Sequence, residues 1–427
     1  MNKKNYASAM AMLLLPYGTP AVLAKENSFP RQAEVTVGID SGDIRGNNNK
    51  TLQAAVEYVS ALGGGTVRIG PGKYLMRNAL TLRDNVRVIG TPGKTILSPV
   101  DGIRVKLATD GDCNQREITL ADAKHFHVGD RILVSCDRYP AYFLVTAANL
   151  TERLGPNRFR IDEPFRTDYQ IGKNARAELN FPCIGGWGIK NASVEGITIE
   201  GNRDRTECTP MDGCRHGGIY FFECKKISVR NCSVRSYNGD GISFQVSNEV
   251  TIENCIFENN AGLGIHPGSG SGKPVVRNCR ASGNDSDGMF VCWRVKHGLF
   301  ENNKIVDNKR DGISIGHKDT DNSFTGNVIT GNARIGLLFR EEPEPLGAHR
   351  NRFVENVIMD NGSEGAARSP VVIHGTHHDL VFKDNRIGFT KSSKKPLPAI
   401  QTNSKSKRLD AKKNQFENVA KAVSVDD

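Results

Sequence analysis

Two columns of residues recur through the second half of the chain with one period, and they restrict the available architectures more than any other feature. Aligning "ISVRNCSV", "VTIENCIF", "PVVRNCRA", "GLFENNKI", "NSFTGNVI", "NRFVENVI" and "LVFKDNRI" puts Cys232, Cys255, Cys279, Asn303, Asn327, Asn356 and Asn385 in register. Their spacings are 23, 24, 24, 24, 29 and 29 residues. "ITIEGNRD" adds Asn202 to the column after a longer loop. Glycines form a second column at Gly218, Gly241, Gly264, Gly288, Gly312 and Gly336, each opening a short alternating run such as "GIYFF", "GISFQ" or "GISIG". Repeats of this length, with strands of roughly 3 to 5 residues between Asn, Gly and Asp turns, are too short for a propeller blade and carry no helical stretch. They predict an all-β fold, a right-handed parallel β-helix solenoid whose coils stack at about 4.8 Å.

In such a solenoid the Asn column forms a ladder of side-chain amides that satisfies turn backbone groups from coil to coil. Cys232, Cys255 and Cys279 extend that column as packed thiols, because coil neighbours about 4.8 Å apart are wide for the Cβ separation of roughly 3.5 to 4.5 Å that a disulfide prefers. Cys208 and Cys214, in "NRDRTECTPMDGCRHGG", are the disulfide candidates.

The remaining segments read as additions to the solenoid. Residues 1–24 read as an export signal: Lys3 and Lys4 precede an apolar run from Ala7 to Leu15, and "AVLA" supplies a small-residue cleavage site. This predicts a secreted or periplasmic protein, and no later apolar run reaches the ~18 residues of a membrane span. In residues 25–100 the spacing predicts a capping helix from Thr51 to about Leu62, with Leu52, Ala55, Val56 and Val59 on one face, before the first coils. The repeat disappears in residues 101–182, where "ITLADAKHFHVGDRILVSCD" and "NRFRIDEPF" predict a small inserted subdomain of antiparallel strands. Residues 183–390 are coils, and residues 391–427 form an irregular, Lys- and Ser-rich tail or a last coil built on "LDAKKNQF". The net charge of +10 calls for an acidic partner. Export together with the lack of RNA-binding aromatics or zinc-finger spacing argues against nucleic acid and leaves an anionic membrane surface or an acidic polysaccharide. Oligomeric state does not follow from the sequence.

The helix, triple glycine, "TVRI" and "PGKY" between Thr51 and Met76, followed by Asn-laddered coils from Ile197 to Ile387, resemble the pectate lyase and polygalacturonase type of secreted β-helix proteins. The resemblance implies a carbohydrate partner, and the superfamily spans lyases, hydrolases, uronate epimerases and adhesins, so the chemistry stays open. The polygalacturonase motifs depart: "NGDGI" at Asn238 has one Asp, "NDSDG" at Asn284 separates two, "GHK" replaces Gly-His-Gly, and no Arg-x-Lys follows. The Asp-Pro-His motif of alginate epimerases is also missing.

Register then places the ionisable residues. Counting from each glycine, positions one and three face the core, as in Ile242 and Phe244, Met289 and Val291, Ile313 and Ile315, Leu337 and Phe339. Positions two and four face solvent, and include Tyr220, Gln245, His266 and Arg340. Positions five and six stack Trp293 with Arg294, His317 with Lys318, and Glu341 with Glu342 along one edge. The edge suits an extended anionic chain. Trp293 stacks on sugars; Arg294 and Arg340 clamp carboxylates; Tyr220, Gln245, Glu342 and Asp321 complete the binding set. His317 beside Glu341 forms a proton-transfer pair; His317 or Lys318 takes the carbon-bound proton beside a uronate, and His266 protonates the leaving oxygen, which makes the chain a polysaccharide lyase acting by β-elimination. A hydrolytic alternative pairs Asp319 or Asp321 with Glu341 or Glu342. The remaining alternatives are a uronate epimerase and a carbohydrate-binding adhesin without catalysis. The cofactor stays open, calcium included: Asp240, Asp287 and Asp311 read as turn residues bonding their own backbone ahead of calcium ligands, and His374, His377 and His378 have weak metal-ligand spacing or line a late turn.

Overall fold

The computed structural model describes residues 33–138, 144–210, 213–362 and 368–426. The export signal assigned to residues 1–24 lies outside them. The described chain winds as a right-handed parallel β-helix with three sheets along its length. The first sheet runs from Ile44–Arg45 to Lys407–Asp410, the second from Gly72–Met76 to Gln415–Glu417, and the third from Leu80–Thr81 to Val423–Asp426. Each coil visits the sheets in the order third, first, second. Pairing is in register from coil to coil, for example Ile219 with Ile242, Phe221 with Phe244, and Ile313 with Leu337.

The side chains expected inside are there. Ile242, Phe244, Met289, Val291, Ile313, Ile315, Leu337 and Phe339 are all buried. Phe300, Phe324, Phe353 and Phe382 stack through the first sheet with ring centroids 4.6, 4.8 and 4.8 Å apart, so the coil rise equals an aromatic stacking distance. The Asn ladder also forms. Asn303, Asn327, Asn356 and Asn385 each donate Nδ2 to the next asparagine's Oδ1 at 2.8 to 3.0 Å, and that oxygen accepts the backbone N–H as well. A second ladder, Asn260, Asn284, Asn308, Asn332 and Asn361, runs at another corner. It carries the same period and was open to the same alignment. Preceding the first ladder, residues 254, 278, 302, 355 and 384 take φ of 54–56°, a left-handed turn that Asn and Asp tolerate best and that aims the following side chain inward.

The cap α1, Asn49–Ala61, buries Leu52, Ala55, Val56 and Val59, and Asn48 caps it by accepting from the Thr51 N–H at 3.1 Å. A six-stranded antiparallel sheet interrupts the passage from the second to the third sheet, between Thr95–Pro99 and Ile184–Trp187. At the same corner one coil later, residues 201–210 and 213–218 belong to the long loop that contains Cys208 and Cys214. The C-terminal segment is more regular than its composition suggests. Ile400–Asn403, Lys407–Asp410, Gln415–Glu417 and Val423–Asp426 continue all three sheets, because Asn414 extends the ladder below Asn385.

No disulfide joins cysteines among the described residues, which corrects the Cys208–Cys214 expectation. The Cys208 thiol is buried and donates to the Ile103 and Leu179 carbonyls, tying the loop to the inserted segment, while Cys214 points to the third sheet. The thiols of Cys232, Cys255 and Cys279 donate instead to carbonyls of their own and the preceding coil.

Candidate active site

The outer face of the third sheet carries the residues selected by register, and two different environments divide it. At its start the 201–218 loop lies on the strands. Tyr220, Ser243, Gln245 and His266 point away from the core as expected but are 0–2% exposed, which corrects their assignment to a solvent face. Pairing register can decide which side of a sheet a residue takes; it cannot see a loop laid over that side. The loop approaches closely because Gly213 has no side chain: a Cβ there would sit 1.7 Å from Asp240 Oδ2 and 2.4 Å from His266 Nδ1. The Gly213 carbonyl accepts from Ser243 Oγ, and Tyr220 Oη donates to the Cys214 carbonyl at 3.0 Å. Gln245 is spent internally, donating to Ser243 Oγ at 2.9 Å and accepting from the Ser269 N–H at 2.8 Å.

His266 sits deepest. Its Nδ1 lies 2.8 Å from Asp240 Oδ2, which can only accept, so Nδ1 carries the proton. Burial drives the imidazolium down, but the Asp240 hydrogen bond and the Cys292 sulfur outweigh it and lift His266 to about 10. Cys292 falls to about 5, chiefly through a hydrogen bond from Cys214 and then through His266, against the effect of burial. Sequence reasoning missed Cys214 and Cys292 as partners of His266, since one lies in the loop and the other belongs to the next coil.

The far edge, where the third sheet turns into the first, is open. Trp293 is 42% exposed, and its ring lies 4.9 Å from that of His317 at 31°. His317 Nδ1 lies 3.3 Å from Glu342 Oε2. The expected stacking at positions five and six is thus realised as Trp293, His317 and Glu342. Trp293, Arg294 and Lys318 hold φ of 51°, 68° and 58°, so the chain turns away from the sheet there and leaves the side chains outside. Arg294 is exposed beside Trp293 and Lys318 is half-buried. Glu341 turns outward, 3.8 Å from Lys405, and does not reach His317 in the way that Glu342 does.

Between the two environments lies Arg340. Gly316 below it has no Cβ, and its space is filled by the guanidinium, which lies 4.2 Å over the Phe290 ring. Arg340 donates to Ser314 Oγ at 3.0 Å, the Val291 carbonyl at 2.8 Å and Asp319 Oδ2 at 3.3 Å. Those inward bonds leave Arg294 the more available carboxylate clamp. Asp319 is wholly buried and holds the Val295 and Gly316 N–H groups at 2.9 Å each. Burial raises it to about 8, with Arg340 opposing. Asp321 belongs to the next turn, bound to Arg350 through two contacts of 2.6 and 2.8 Å that hold it down to about 2. Asp319 thus clamps its turn and Asp321 pairs with Arg350, contacts that compete with the binding and hydrolytic roles expected of them.

The aspartates were expected to bond the backbone of their own turn, and instead they tie coil to coil: Asp240, Asp287 and Asp311 accept the N–H groups of Leu263, Asp311 and Ile335, each one coil further on. His377 lines a turn, its Nδ1 accepting from the Ala348 N–H at 2.8 Å and its Nε2 donating to the Arg340 carbonyl at 3.0 Å. No helix among the described residues is long and apolar enough to cross a membrane.

Comparison with known proteins places the architecture. The family model described as right handed beta helix region matches residues 182–341. Among curated proteins the chain is similar to mannuronan C5-epimerase AlgE2 of Azotobacter vinelandii, 22% identical over 76% of this chain. It is also similar to AlgE1 of the same organism, 25% identical over 75%. It spans only 24% and 16% of the length of those two relatives. Among solved structures, the A-module of Azotobacter vinelandii mannuronan C-5 epimerase AlgE4 superposes with a TM-score of 0.57 at 17% identity, covering 91% of this chain and 97% of that one. The Streptococcus pneumoniae surface protein and adhesin PfbA gives 0.52 at 12% identity, covering 88% and 95%. The fold of this chain is the right-handed parallel β-helix.

Proposed function

We propose that the chain is a secreted or periplasmic carbohydrate-active enzyme that binds an acidic polysaccharide along the open edge of the third sheet and removes the proton beside a uronate carboxylate. The single observation that carries this reading is the Trp293–His317–Glu342 stack. An exposed indole offers a face for a pyranose ring, and next to it an imidazole is oriented by a carboxylate at 3.3 Å. Arg294 meets the substrate carboxylate and stabilises the charge that develops on it, and Lys318 adds positive field. Glu342 holds the His317 ring so that its Nε2 accepts the carbon-bound proton. The net charge of +10 supports an anionic substrate.

The enolate so formed has two outcomes. Expulsion of the neighbouring glycosidic oxygen, which takes its proton from water at the open edge because His266 is sealed, gives an unsaturated uronate, the lyase reading made from the sequence. Return of a proton to the opposite face gives the C5 epimer, and the similarity to mannuronan C5-epimerases favours this second outcome. A hydrolase has less support, because Asp319 and Asp321 are committed elsewhere.

Incubation with mannuronan, polygalacturonate and other uronic polysaccharides tests the reading. Proton NMR reports epimerisation, near-ultraviolet absorbance reports unsaturated ends, and a reducing-end assay reports hydrolysis. His317→Ala is expected to lower turnover by about 10²–10⁴-fold, the range for loss of a general base. Saccharide binding with no product in any of the three assays would make the protein an adhesin-like binder and overturn the proposal.

A further inference from the structure

The covered end of the third sheet holds a group of side chains that the proposed chemistry does not use. Cys214, His266 and Cys292 present Sγ, a ring nitrogen and Sγ, all within 4.8 Å of one another. They come from three separate parts of the chain: the long loop, the strand Ile265–Pro267, and the coil after Met289–Phe290. The last two ligands sit diagonally on neighbouring coils, and the loop closes over both.

The protonation pattern of His266 is the second, independent observation. Asp240 fixes the proton on Nδ1, while Nε2 is buried and has no hydrogen-bond partner among the described residues. A buried ring nitrogen without a hydrogen-bond partner is costly; in the metal-free chain Nε2 carries the second proton of an imidazolium beside the Cys292 sulfur, and a metal ion gathered by the two sulfurs would displace that proton and take the lone pair. Asp240 is itself fixed by the Leu263 N–H at 2.8 Å, which completes the carboxylate–histidine support typical of metal ligands. We propose that Cys214, His266 Nε2 and Cys292 bind a zinc-class ion that pins the 201–218 loop to the coils. Two thiolates and an imidazole are a borderline-soft set that suits zinc over calcium or magnesium. Three protein ligands leave the fourth tetrahedral position to a water or small anion.

The other candidate, Glu344, His349 and His378, fails the same examination. His349 Nδ1 already accepts the His378 N–H at 3.2 Å, so its Nε2 carries the ring proton and has no lone pair to give.

The test uses the full-length protein purified without chelator. Elemental analysis is expected to find about one zinc per chain, and cobalt exchange to produce thiolate-to-metal charge-transfer absorption with tetrahedral visible bands. Cys292→Ser and Cys214→Ser should each lose stoichiometric zinc and the charge-transfer signal. Asp240→Asn keeps every ligand and should weaken zinc by about 10–100-fold, read by competition with a chromogenic chelator. Should the Cys variants fail to fold, the wild-type metal content and the Asp240→Asn affinity still decide. A wild-type protein without zinc that takes up neither zinc nor cobalt overturns the proposal, as does mass spectrometry showing a Cys214–Cys292 disulfide.

Discussion

His266 and His317 stand two coils apart at one end each of the same sheet, each beside a carboxylate, and their surroundings make them different chemical objects. His266 is sealed under a loop with two thiols, its Asp240 contact is 2.8 Å, and no path leads a polymer to it. His317 is partly exposed, its Glu342 contact is looser at 3.3 Å, and its ring lies against an exposed indole. Similar pairs of residues thus divide into a buried pair and an open pair, the one proposed as a metal anchor and the other as the reactive edge, and the loop inserted at one corner of the coil decides which is which. A solenoid provides equivalent positions, and its irregular connections break the equivalence.

Exchanging the roles experimentally should show this. The largest expected effect is on the open side, where His317→Ala costs about 3–5 kcal/mol of transition-state stabilisation, equivalent to the 10²–10⁴-fold loss, while the melting temperature stays nearly constant. A comparable loss of stability with the loss of rate would mean that His317 is part of the scaffold. In the scaffold itself, Asn327→Ala removes an amide that accepts two donors and makes two donations, to the Phe300 carbonyl and to Asn356 Oδ1. It should lower stability by about 2–4 kcal/mol in chemical denaturation, because several buried groups lose their partner together.

The covered side has its own pH signature. Burial and the Asp311 charge lift Asp287 to about 6, with Arg310 and Arg340 opposing. The folded carboxyl therefore holds its proton more tightly than the unfolded one, whose value is near 3.9. Its favourable contribution is complete below the unfolded value and is lost as pH rises through about 6, leaving an ionised buried carboxylate at neutral pH. Asp287→Asn keeps an acceptor for the Asp311 N–H and should raise stability at pH 7.5 by up to about 3 kcal/mol, with little gain at pH 3.5. Denaturation curves at the two pH values check it, and an equal gain at both would assign the effect to something other than charge. Gly213→Ala probes the seam between the two environments. The added Cβ meets Asp240 and His266, so the loop must lift, at a cost of about 1–3 kcal/mol and with faster modification of the Cys214 thiol. The smallest effect belongs to the exposed Asp321–Arg350 pair, where Arg350→Gln should change stability by less than about 1 kcal/mol.

The repeat made most of the body legible. Period, core positions and the Asn303–Asn385 ladder follow from residue spacing, because every coil must place its turn amide and its inward side chains at the same height as its neighbour's. Even the Trp293–His317 stack was legible, since it is a vertical contact between equivalent positions of adjacent coils. Contacts that leave the vertical direction were not. Glu342 rather than Glu341 reaching His317 depends on how the chain turns after Arg340, and the Arg350 bond to Asp321 depends on a left-handed turn at each residue. The burial of Tyr220, Gln245 and His266 depends on residues 201–218, whose sequence lies outside the repeat. Cys214 is the sharpest case: by spacing it looked like a partner for Cys208, six residues away, and in the fold it meets Cys292 and His266.

By itself, then, the sequence determined a parallel β-helix with a capped start, a polar ladder and an aromatic, basic and carboxylate-bearing edge, because periodic contacts are encoded by period. Which outward side chains are sealed and which stay open was decided by tertiary structure alone. A loop laid across a sheet makes contacts between residues of unrelated register, and one missing Cβ at Gly213 sets how near it comes.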